Sequence, residues 1–211
     1  MNTTAKTEAC KEIQWDRIIG LYNTIKYIYA LCEETDDQLS TNLQPLNEFR
    51  AALDHLMRIV AIEKLNTYKG KDPLLEAEKL HSHLRRAFFD VCDLLSINYR
   101  NKIIKKLKRY SPECIEKALP DYYSVMRPRL EEMTEIIASL RTDKRIASSY
   151  GQDAIDAYTK IIEELKQYHK TVLSAVPSLN EIRAKTFMVK WGFPILVFLV
   201  GTALTIIGLI R

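Results

Sequence analysis

Glycine is scarce in this chain. Six glycines in 211 residues are too few for most nucleotide cradles, and no phosphate loop, nucleophile elbow, HExxH string or Gly-rich dinucleotide turn is present. Strand signals are equally few, and no stretch is of low complexity. The four cysteines, Cys10, Cys32, Cys92 and Cys114, include no CxxC pair and have no histidine at zinc-ligand spacing. In a reducing compartment they are expected as free thiols, three of them continuing apolar helix faces. No metal, disulfide or cofactor is expected. The N-terminal string MNTTAKTEACKEIQ lacks the apolar core of a secretory signal.

The longest apolar run stands at the other end. Trp191 to Ile210, WGFPILVFLVGTALTIIGLI, is twenty residues without a charge. As a helix it measures ~30 Å, the thickness of a bilayer's hydrocarbon core. Gly192, Pro194, Gly201 and Gly208 suit the interior of a soluble helix poorly but are tolerated in lipid. Trp191 stands where amphipathic rings favour the interface. Arg183, Lys185 and Lys190 precede the run and only Arg211 follows it. The positive-inside bias then puts the N-terminal domain in the cytoplasm. The expectation is a single-pass protein with a C-terminal anchor, inserted after synthesis.

Helical periodicity fills the rest. Trp15, Ile18, Tyr22, Ile25, Tyr29 and Cys32 recur at three- and four-residue steps and predict a first helix over Glu8 to Glu33. Leu46, Phe49, Leu53, Leu56 and Val60 predict the core stripe of a second, ending near Gly70 and Pro73. Ala77, Leu80, Leu84, Phe88, Val91 and Leu95 predict a long third helix reaching Tyr110. Ser111 and Pro112 open a short helix, and Met126, Leu130, Met133, Ile137 and Leu140 carry the next, with Pro128 starting or kinking it. Tyr158, Ile161, Leu165, Tyr168 and Val172 carry another. After Pro177, the string Ser178 to Glu181 has the form of a capping box that starts the final helix. The fold class is therefore all-α: an antiparallel helical bundle over residues 1–177, then a juxtamembrane helix over 178–211 running into a transmembrane helix at about 191–210.

Three features invite a functional reading. The first is a short repetition, His55-Leu56-Met57-Arg58 and His83-Leu84-Arg85-Arg86, which implies that the second and third helices face each other with similar polar edges. Within it, Arg50 and His55 have Arg-x4-His spacing. The strings FRAALDHLMR and HLRRAFFDV, over about residues 40 to 95, resemble HEPN-type helical domains, which usually dimerise and cut RNA without a metal. The resemblance implies His55 as the acid–base group and Arg50 as the phosphate clamp. Five residues along a helix separate the two by about 140°, so a partner protomer's pair would complete the cleft. His55 then points away from the core as an exposed residue, and His81, His83 and His169 read as polar edge residues.

The second feature is Tyr99 to Tyr110, where six of twelve residues are basic: Arg100, Lys102, Lys105, Lys106, Lys108 and Arg109. Ile103 and Leu107 form an apolar ridge between them. Anionic lipid and RNA are equally suitable counterions. The third is the face formed by Gly201, Thr205 and Gly208, where small residues let two membrane helices approach. The leading reading is a membrane-tethered, self-associating helical interaction or effector module with an unidentified protein partner. The alternative is a HEPN-like, metal-independent ribonuclease held at the membrane. A tethering or fusion protein has the right layout, but Pro128, Gly151 and Pro177 interrupt the long heptad run that zippering needs.

Overall fold

The computed structural model describes residues 12–36, 43–65, 67–68, 70–144 and 152–210. Their order is α1 (Trp15–Thr35), α2 (Leu43–Leu65), α3 (Pro73–Leu107), α4 (Pro112–Ala118), a π-turn at Tyr122–Met126, α5 (Arg127–Lys144), α6 (Gln152–Phe187), a second π-turn at Met188–Gly192 and α7 (Phe193–Ile210). Among the described residues there is no strand, in line with the all-α expectation. The chain divides into two compact units, Met1–Asn98 with Ile155–Thr159, and Tyr99–Ala154 with Lys160–Arg211.

In the first unit α1 and α3 run in the same direction. Arg17 lies level with His81, and the Cys32 thiol donates to the Val91 carbonyl at 3.3 Å. Between them in sequence, α2 runs antiparallel to α3, as Glu48 meets His83 and His55 meets Glu76. The core holds Ile18, Leu21, Ile25 and Ile28 of α1 and the full predicted stripe of α3, from Ala77 to Leu95. Each such aliphatic side chain contributes about 1.5–3 kcal/mol. Tyr158 is fully buried, edge-on to Phe88 with ring centroids 6.5 Å apart, and its hydroxyl donates to Asp93 at 2.7 Å. Between α2 and α3 the backbone reverses through Gly70, whose φ of 84° favours glycine. Asp72 then caps α3, accepting from the Leu74 N–H at 2.9 Å, and Pro73 takes the first helical position.

Two elements of this unit differ from their expected form. α1 opens at Trp15, because Glu12 to Gln14 are not helical; the expected start at Glu8, like Cys10, lies outside the described residues. On α2 the expected core stripe faces outward: Leu46 is 41% exposed, Leu53 56% and Val60 39%. Its inner face is instead Glu48, Ala52, His55 and Ile59, at helical steps of four, three and four. Ala52 and Ile59 are buried, and the two polar residues find partners on α3.

In the second unit the end of α3 runs parallel to α6 and in register with it. The Tyr99 and His169 rings lie 5.5 Å apart, and eleven residues further on, in the turn that follows α3 at Leu107, the Tyr110 hydroxyl donates to Asn180 Oδ1 of α6 at 2.7 Å. Ser111 caps α4 as expected, accepting from the Cys114 N–H, while the Cys114 thiol donates to the Leu179 carbonyl at 3.3 Å. The three described cysteines are buried and unbridged. α5 folds back on α6, where Arg129 grips Glu164 through two hydrogen bonds of 2.9 Å.

Prolines shape the C-terminal half. Each π-turn is centred four residues ahead of a proline, on Ser124 for Pro128 and on Lys190 for Pro194. A proline ring collides with the carbonyl four residues back, and widening the turn there relieves the collision. Pro128 thus stands in the first turn of α5. Pro177 breaks nothing: α6 runs through it, and Ser178 to Glu181 lie inside that helix rather than opening one. The orphaned carbonyl belongs to Leu173, which like Pro177 lies on the exposed side of the helix, where solvent rather than a packed neighbour is at hand. The chain is consequently helical from Asp153 to Leu209, 57 residues, and it carries the one helix among the described residues that is long and apolar enough to cross a membrane.

Candidate functional site

The His-Leu-x-Arg repetition is half of a larger one. Glu48 precedes His55 by seven residues and Glu76 precedes His83 by seven, so Glu-x6-His-Leu-x-Arg occurs on α2 and again on α3, twenty-eight residues later. The antiparallel helices exchange partners. His55 Nδ1 donates to Glu76 Oε2 at 2.7 Å, and His83 Nδ1 lies 2.8 Å from Glu48 Oε2. The repeated arginines follow the same rule: Arg86 Nε donates to Glu48 at 2.9 Å, and Arg58 lies 3.6 Å from Glu76. The imidazoles of His55 and His83 stack between the carboxylates, centroids 5.2 Å apart and planes 25° from parallel. The arrangement is a local pseudo-two-fold clasp.

Its electrostatics follow from burial and pairing. The Glu76 side chain is 2% exposed, which is costly for a carboxylate without partners. The His55 hydrogen bond, with that of Lys79 at 2.9 Å, instead holds its pKa down to about 2. Burial alone would raise Glu48, but hydrogen bonds from His83 and Arg86 outweigh it and hold the carboxyl below its ordinary range. At His55 the carboxylate on Nδ1 fixes the tautomer and leaves Nε2 as the acid–base nitrogen, while His83 Nδ1 stands between Glu48 and the Arg86 guanidinium, 2.7 Å away.

Here the expectation for His55 is corrected. Its side chain is only 13% exposed, because it belongs to the inner face of α2. Arg50 is exposed and makes no hydrogen bond or ion pair among the described residues. The structure therefore joins His55 to His83 and Glu76, not to Arg50. Glu48 and Glu76 were not singled out, although reading the repetition, which already held His83, seven residues upstream exposes both glutamates. Among the described residues no group of three or more His, Cys, Asp or Glu could hold a metal ion.

The basic residues lie at the end of α3 in the second unit. Lys102 and Lys106 are close enough to His169 to lower its pKa, after burial. Arg100 donates to the Thr134 hydroxyl of α5. Lys105, Lys108 and Arg109 are exposed. Gly201, Thr205 and Gly208 stand on α7, where Thr205 bonds back to the Gly201 carbonyl at 2.9 Å. A Cβ at either glycine would meet open space.

A third surface appears only in the structure. The outward stripe of α2 meets α1 in an apolar groove of ≈ 420 Å³ lined by Trp15, Ile19, Tyr22, Phe49, Leu53 and Leu56, with Leu80 and Leu84 at its floor. Tyr22 and Phe49 pack edge to face across it, centroids 6.3 Å apart. Comparison with protein-family models, with curated proteins and with solved structures gives no match.

Proposed function

We propose that this protein is a C-terminally membrane-anchored helical interaction module, its bundle in the cytoplasm, that works by self-association at the membrane surface. One observation carries the reading: a packed bundle helix, α6, runs without a break into an apolar helix whose side chains are exposed throughout. Such a surface, long enough to span a bilayer, supports placement in lipid. Self-association is supported by the uncovered stripe of α2. Leu46, Leu53, Met57 and Val60, with Ile19 and Tyr22 of α1, present roughly 500 Å² of apolar surface, at the upper end for a monomer. A heptad stripe is self-complementary about a two-fold axis, and tethering to one membrane concentrates the copies. The test is cross-linking of the full chain in native membranes. Wild type is expected to trap as dimers or larger species, and Leu53→Glu with Met57→Glu to trap mainly as monomer. Identical patterns from the two would remove the α2 stripe as the interface.

A second reading, the metal-independent ribonuclease, is favoured by the stacked imidazoles. Cleavage through the 2′-hydroxyl needs a base and an acid, and two carboxylate-oriented histidines side by side supply both types of group. In this form His83 takes the place expected of a partner's residue, and Arg58 and Arg86 stand nearer than Arg50. Purified wild type would then cut RNA in the presence of chelator, and His55→Ala would not. RNA left intact by wild type at every protein concentration ends this reading.

A further inference from the structure

We infer that the end of α3 together with α4 is a docking surface for the anionic lipid headgroups of the leaflet that α7 enters. The inference rests on the anchor reading and adds what the rest of the second unit does there. The in-register pairing of α3 with α6 fixes the height of the basic segment. Tyr110 is bonded to Asn180, and from Asn180 to Trp191 the helix advances only ~16 Å. α4 lies at the same height, its Cys114 thiol donating to the Leu179 carbonyl at 3.3 Å. The headgroup layer adds several ångströms outside the hydrocarbon core. Lys108, Arg109 and Lys117 therefore come within about one Debye length, 8–10 Å, of the headgroups.

Charge makes the match. Residues 99–121 and 180–190 hold ten basic and four acidic residues, and one of the acids, Glu181, is already bound to Lys185 at 2.7 Å. Lys108, Arg109 and Arg183 are exposed and have no carboxylate partner among the described residues. Two cationic sources thus meet at one level, the end of α3 and the last turns of α6. A negative leaflet attracts basic residues at that level. RNA would satisfy the same charges, but nothing about RNA requires them beside the apolar helix, whereas a membrane surface does.

The experiment uses the full chain in nanodiscs of phosphatidylcholine alone and of phosphatidylcholine mixed with phosphatidylglycerol, with trace amine acylation read by mass spectrometry. Modification of Lys108 and Lys117 is expected to slow about five-fold in the anionic discs, the factor matching the leaflet's pull on one lysine. High salt should erase the difference. Lys160, ~45 Å up α6 from Trp191, should react equally in both lipids. Lys108→Glu with Arg109→Glu should remove the lipid dependence at Lys117 while leaving incorporation into discs unchanged. Equal rates at Lys108 in the two lipids overturn the docking surface. Protection by polyuridylate without protection by anionic lipid also overturns it and makes RNA the counterion. A chain that fails to enter discs of either composition overturns the anchor reading underneath.

Discussion

At the scale of single residues, His55 decides more than its motif suggested. It is the principal partner of a carboxylate that has left water, and Lys79 and Arg58 remain when it is removed. His55→Ala is therefore expected to cost about 1–3 kcal/mol, the range for a buried acceptor losing a partner. Arg50→Ala, at an exposed position, should stay within about 0.5 kcal/mol. Urea unfolding of the full chain in detergent separates the two; equal, small losses would mean the clasp adds nothing. Acid should act on the same unit in two stages, both destabilising. His81 is pushed from 6.5 to about 4 by burial and then by Arg17 and Arg85. Its folded value is the lower one, so its neutral ring favours the fold above 6.5, and that contribution is lost as pH falls towards 4. Glu76 lies at about 2 against an ordinary 4.5, so its contribution is present above 4.5 and is lost as pH falls towards 2. Unfolding midpoints taken from neutral to acid pH should decline through both windows. His81→Gln should flatten the upper window and leave the lower one, and an unchanged upper slope would remove His81 as its cause.

At the scale of elements, what was legible followed from what periodicity measures. The stripe of α3 from Ala77 to Leu95 is buried throughout, and the Ser111-Pro112 start of α4 holds, since both signals are local. The same rule misplaced α2, because periodicity finds the apolar face without saying which face is inward. Here the inner face carries Glu48 and His55, which the matching residues of α3 neutralise, so the polar edge can be inside and Leu53 outside. That pairing joins residues twenty-one and thirty-five apart, beyond any local signal, though the repetition itself was in view. Pro177 misled in a related way. As a helix stopper it would begin a new element, but it stands on an exposed face, where a carbonyl that loses its helical partner is open to solvent, and the helix continues. The interruption held against a tethering role is therefore absent at Pro177, while Pro128 does mark the first turn of a helix. Gly151 lies outside the described residues.

At the scale of the whole chain, the consequence of that uninterrupted helix is a rod of 57 residues, Asp153 to Leu209, ~85 Å long. Its upper part is cemented by Tyr158, Ile161, Ile162, Leu165, Val172 and Ala175, and the last buried residue is Leu179. From Arg183 to Leu209 every residue but Gly192 is exposed, so nearly half of the helix adds nothing to the packing of the bundle. Its twelve large aliphatic and aromatic residues from Phe193 to Ile210 favour lipid by about 5 kcal/mol on insertion scales. Removing Trp191 to Arg211 is accordingly expected to release the protein into the soluble fraction with the helical circular dichroism of the remainder retained, because the cut falls twelve residues past Leu179. Salt would distinguish the two proposed membrane contacts. Lipid attraction to Lys108, Arg109 and Lys117 is screened at high ionic strength, so any truncated protein held by those residues should wash off. The full chain should resist the same wash and leave the membrane only with detergent. Truncated protein that withstands the wash would mean a second apolar attachment, and the single anchor would then be wrong.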